Sequence, residues 1–87
     1  MNWIQQLDKN GFNILIDELV WHLEQERFPL TIRKINSNIR TGFEFVFKDG
    51  ETHFLNVKKD ALEQNWSEAI AISKEYPELK GVIYENS

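Results

Sequence analysis

Apolar residues recur along this chain with two different periods, and the change of period divides it into elements. Trp3, Ile4 and Leu7 share one side of a short helix over residues 2–9, which Asn10-Gly11 brings to a stop. Asn13 is placed to cap a second helix, and Phe12 to staple its first turn. Ile16, Leu19, Val20 and Leu23 form the main stripe of that helix, which is predicted to run to about Phe28 and end at Pro29. Ile14, Trp21 and Phe28 make a second stripe on another side. Such a stripe is expected to pack on another element of the fold; left uncovered, it is an edge for a partner.

From Leu30 the period shortens to two. Leu30–Ile35, Gly42–Phe47 and Thr52–Val57 read as strands. Asp60 is expected to open a third helix, with Glu63 as its capping-box partner. Leu62, Trp66, Ala69, Ser73 and Tyr76 line its buried side, flanked by Ile70 and Ile72, and Pro77 stops it. Gly81-Val82-Ile83-Tyr84 reads as a last strand. The order α-α-β-β-β-α-β predicts an α+β fold: N-terminal helices, a three-stranded antiparallel sheet, an amphipathic helix and a final strand. A helical crossover allows that strand to lie parallel to an earlier one.

The turn at Lys48-Asp49-Gly50 decides which residues share a sheet face. A two-residue loop would pair Phe47 with Thr52 and leave both faces half polar. A three-residue loop with a glycine bulge pairs Phe47 with Glu51. It gathers Phe43, Phe45, Phe47, Leu55 and Val57 on one face with His53. Arg40, Glu44, Val46, Lys48, Thr52, Phe54, Asn56 and Lys58 then share the other. A one-residue slip exchanges the faces, so the cleaner segregation favours the bulged turn.

Composition adds limits. Eighty-seven residues make one domain, 1–87, with a small core. The absence of cysteine excludes disulfides and thiolate chemistry. No apolar run approaches a membrane span, and the first residues lack the pattern of a signal peptide, so a soluble, cytoplasmic protein is expected. The net charge of −4 is unevenly spread: −3 over residues 1–29, +3 over 30–59 and −4 over 60–87. The strand region is basic and the helices acidic.

No nucleophile elbow, lysine-paired serine or phosphate-cradling glycine loop is present, and the sequence signposts no catalytic residue, cofactor or resident metal site. Glu18, His22 and Glu26 have the four-residue spacing of metal ligands, but the same spacing belongs to a solvated helix side, which is the reading adopted. His53 is read as a histidine at the edge of the core. Arg40, Lys48 and Lys58 around Phe54 combine cations with an aromatic, a pattern suited to phosphate neutralisation and base stacking.

The stretch Gly42-Phe43-Glu44-Phe45-Val46-Phe47-Lys48-Asp49-Gly50 and the stretch His53-Phe54-Leu55-Asn56-Val57-Lys58 resemble the second and third core strands of the restriction-endonuclease-like PD-(D/E)xK nucleases. That resemblance implies a metal carboxylate at Glu44 and a phosphate or water contact at Lys58. Asn56 stands where the family has its second carboxylate, and an amide is a weaker, neutral ligand for the ion that activates water. The resemblance therefore implies a degenerate, nucleic-acid-binding relative using Arg40, Lys48, Phe54 and Lys58.

The primary expectation is different: a small non-catalytic module that binds another protein, such as an inhibitor, an immunity protein or a mobile-element accessory protein. Asp17, Glu18, Glu24 and Glu26 on the second helix, or Glu63, Glu68 and Glu75 on the third, would oppose a basic partner. Trp3 and Trp21 are the candidate aromatic anchors. The sequence does not fix an oligomeric state.

Overall fold

The computed structural model describes residues 3–9 and 13–83 of the chain. Two helices, α1 (Trp3–Lys9) and α2 (Ile14–Glu24), precede strands β1 (Pro29–Asn36), β2 (Thr41–Phe47) and β3 (Thr52–Asn56). Helix α3 (Lys59–Glu75) and a single 3-10 turn, Pro77–Leu79, follow. The strands form one antiparallel sheet in the order β1-β2-β3. The architecture is α+β, in the order α-α-β-β-β-α.

The hairpin takes the bulged register. Gly50 N–H donates to the Phe47 carbonyl at 3.0 Å, and Phe47 N–H donates to the Glu51 carbonyl at 2.9 Å. Gly50 lies at φ 88°, a conformation glycine adopts without strain. Phe45 therefore pairs with His53 and Phe43 with Leu55, so these residues share the face that meets the helices. Phe43 stacks on Trp66 of α3, and Phe45 and Phe47 pack against the His22 ring of α2. Ile32, Val57, Leu62, Ala69 and Leu79 complete this core with Leu15, Ile16, Leu19 and Leu7 from the first two helices. Gly42 has φ 151°, and a Cβ there would stand 1.9 Å from the Leu55 carbonyl oxygen. Only glycine lets β2 approach β3 so closely at this point.

Helices α2 and α3 are tied by two buried asparagines. Asn13 caps α2, its Oδ1 accepting from Ile16 N–H at 3.1 Å, while its Nδ2 donates to the Asn65 carbonyl at 2.8 Å and to Glu68 Oε2 at 3.0 Å. From α3, Asn65 Oδ1 accepts from Ile14 N–H at 2.6 Å and from Leu15 N–H at 3.3 Å. Three of the N-terminal donors of α2 are thus satisfied by two side chains, one reaching across from another helix.

Four expectations are corrected. The second helix ends at Glu24, about a turn before Phe28. Glu26 adopts the left-handed conformation (φ 59°); Arg27 N–H bonds to the His22 carbonyl and Glu26 N–H to the Leu23 carbonyl, each at 2.9 Å. This double closure stops the helix before Pro29, which becomes the first residue of β1. The fold does not bury the second stripe: Ile14, Trp21 and Phe28 are 43%, 54% and 52% exposed. Asp60 does not open α3, which begins at Lys59 without a side-chain cap, and Glu63 pairs instead with Lys34. Finally, the last strand is not shown. Ile32 N–H donates to the Val82 carbonyl at 2.7 Å and Ile83 makes an isolated parallel bridge with Ile32, while Tyr84 lies outside the described residues. The expected stop at Asn10-Gly11 and the staple by Phe12 also lie outside them.

Candidate functional site

Helix α2 carries two different surfaces because its polar residues divide between them. Glu18 and His22 stand one turn apart and face the end of the sheet. The bulged register aims His53 of β3 at the same place. Glu18 Oε2 lies 2.9 Å from His53 Nε2 and 3.2 Å from His22 Nε2. The imidazole rings of His22 and His53 sit edge to face, 5.1 Å between centroids. The His22 side chain is 3% exposed, Glu18 25% and His53 43%, so the cluster runs from the core outward to solvent. Neither ring nitrogen of His22 makes a hydrogen bond among the described residues, despite the nearby carboxylate. Burial lowers the pKa of His22 from its ordinary value; the Glu18 charge opposes that shift without reversing it. Burial thus favours the neutral ring of His22, in which one nitrogen carries a lone pair and the other a proton, next to a carboxylate.

The outward surface of α2 is apolar and acidic. Trp21 projects from it, with Asp17 one turn before and Glu24 three residues after, all three exposed. Ile14 lies further along the helix, and Phe28, Leu30 and Glu26 are exposed beyond its end. Glu18 belongs to the inner cluster and not to this edge. Helix α3 offers less: Glu63 pairs with Lys34 at 2.7 Å, and Glu68 accepts from Asn13 and from Gln64. Trp3 lies in α1, but its side chain is outside the described residues.

The sheet face away from the helices carries a basic and aromatic set. The Arg40 guanidinium lies 4.3 Å above the Phe54 ring. Glu44 pairs with both Arg33 and Arg40, the latter at 3.6 Å. The carboxylate that the nuclease resemblance would give to a metal is thus held between two guanidinium groups. Asn56 is exposed at the end of β3, paired in register with Gly42. Lys48 and Lys58 are exposed and make no ion pair among the described residues, Lys48 at the hairpin turn and Lys58 just before α3.

Sequence reasoning placed His53 on the helix-facing side and recognised the spacing of Glu18 and His22, but did not bring the three together. It proposed Glu26 as their companion, and the left-handed turn at Glu26 takes that residue off the helix. It also missed Asn65, a polar residue within the apolar side of α3, and Arg33, whose pairing with Glu44 follows from the β1-β2 register. No protein-family model matches the chain, and no curated protein or solved structure is significantly similar to it.

Proposed function

We propose that this chain is a small non-catalytic protein-binding module, of the kind that inhibits or neutralises another protein or assists one, and that it docks through the outer edge of α2. The observation that carries this reading is Trp21, a large aromatic held outward on a rigid helix with more than half its surface in solvent. Aromatic side chains in such positions are the usual anchors of protein interfaces. Asp17 and Glu24 flank it, so the complementary partner is a basic surface with an apolar recess that takes the indole ring. Trp3 joins as a second anchor in this reading. Glu63 and Glu68 are secondary, because other side chains already engage them. A cytoplasmic setting belongs to the same reading, since the cysteine-free chain owes nothing to an oxidising compartment. So does a short strand beside β1 that includes Val82 and Ile83, supported by the Ile32–Ile83 bridge.

The test compares capture of host proteins by immobilised wild-type chain and by Trp21→Ala and Glu24→Lys variants, with Glu63→Lys as a control. A partner retained by wild type and control, and lost by both α2 variants, supports the proposal. Retention by all four contradicts it.

A second reading, nucleic-acid binding by a degenerate nuclease-like sheet, draws on the stacked Arg40–Phe54 pair with Lys48 and Lys58 exposed on the same hairpin. It predicts binding of fluorescent single-stranded or duplex oligonucleotides that weakens with salt and is lost in Phe54→Ala and Lys58→Glu. Salt-insensitive binding, or none, removes it.

A further inference from the structure

We propose that Glu18, His22 and His53 form a binding site for a borderline divalent transition-metal ion of the Zn²⁺ class. This inference is independent of the protein-docking reading. Two imidazoles and one carboxylate are a donor set suited to such ions, and the fourth position is open to water. The spacing fits as well. With metal–donor bonds of about 2.0–2.1 Å, neighbouring donors in a tetrahedral shell stand about 3.3 Å apart. Glu18 Oε2 lies 3.2 Å from His22 Nε2 and 2.9 Å from His53 Nε2, close to that spacing; the donors all lie within 4.8 Å of one another, and the partly exposed His53 ring has to turn inward to bring the two imidazole nitrogens onto one ion.

The site is also held in place by the fold. Glu18 and His22 are fixed one turn apart on α2, and α2 is anchored by the Asn13–Asn65 network. His53 is fixed by the hairpin register, which the Gly50 bulge sets. Phe45 and Phe47 wall the His22 ring on its inner side. His53 and Glu18 remain accessible from solvent, giving an ion a path of entry.

An ordinary arrangement of one carboxylate between two imidazoles explains why Glu18 turns inward. It leaves His22 Nε2, almost completely buried, 3.2 Å from Glu18 Oε2 but poorly directed for a hydrogen bond. A metal ion at the cluster gives that nitrogen a partner. His22 Nδ1 is equally without one and keeps that state with or without the ion.

The test uses the full chain after chelator treatment, titrated with Zn²⁺ by calorimetry and with Co²⁺ by visible absorption. One ion per chain is expected, with the intense ligand-field absorption of a four-coordinate cobalt site. His53→Gln and Glu18→Gln, both at partly exposed positions, each weaken Zn²⁺ binding by at least about tenfold. Asp17→Asn leaves it unchanged. Nitrogen-15 spectra of the wild-type imidazoles locate the ion without any substitution: Nε2 of both histidines shifts on adding Zn²⁺. The proposal is overturned by the absence of saturable binding, by shifts confined to other groups, or by undiminished affinity in the folded His53→Gln and Glu18→Gln chains.

Discussion

At the scale of single residues, the molecule depends on polar groups placed where the sequence pattern calls for apolar ones. Asn65 sits among Leu62, Trp66 and Ala69 on the buried side of α3, yet its amide serves the first turn of α2 and its own helix, donating to the Ala61 carbonyl at 2.9 Å. Removing the amide leaves the Ile14 and Leu15 N–H groups of α2 without their acceptor, while the Asn65 backbone carbonyl still accepts from Asn13. Asn65→Ala is expected to cost about 2–3 kcal/mol, read as a lower denaturant midpoint with an unchanged slope. A loss within about 0.5 kcal/mol, the range of an ordinary surface change, would show that water replaces the amide there. The asparagine, which the sequence reading passed over, was legible only as a polar residue on the apolar side of α3. Its partner was not, because helix pairing is set by tertiary packing and not by spacing along one helix. The same limit hid the meeting of His22 with His53: His53 was placed on the helix-facing side, but His22 was read as part of a solvated helix side and is buried against Phe45 and Phe47, because α2 crosses the sheet edge there.

Among the elements, the hairpin was the most legible and α2 the least. Segregation of apolar and polar residues selected the bulged turn, because the alternative register mixes the faces of β2 and β3. The end of α2 carries no comparable signal. Glu26 takes the left-handed conformation usually given to glycine, and no glycine marks the stop. The stripe Ile14-Trp21-Phe28 therefore reads as one continuous helix side, whereas Phe28 lies beyond the helix and the stripe faces solvent. That exposure separates Trp21 from Trp66, which the sequence pattern placed on the buried side of α3. Trp66→Ala removes a buried ring stacked on Phe43 and is expected to cost about 3–5 kcal/mol. Trp21→Ala is expected to stay within about 0.5 kcal/mol of wild type in the same denaturation measurement. A comparable loss at both positions would mean that Trp21 is part of the core.

For the molecule as a whole, the division of charge takes on a structural meaning. The cations of the strand region do not form one free basic surface: Arg33 and Arg40 pair with Glu44, and Lys34 pairs with Glu63. Arg27, from the turn after α2, lies near Asp49 and Glu51 and stacks over Phe47. Exposed pairs of this kind contribute little stability, but they neutralise much of the sheet. Beside Trp21, Glu24 makes no ion pair among the described residues, and the outer edge of α2 is a surface where exposed apolar area and negative charge coincide. The central claim is that this edge is where a protein partner docks. The most direct measurement is the dissociation constant of the captured partner for wild-type chain and for Trp21→Ala, with the folding stability of both determined alongside. The account predicts a loss of affinity of about 2 kcal/mol or more, roughly thirtyfold, at unchanged stability. Equal affinities for the two chains would contradict it.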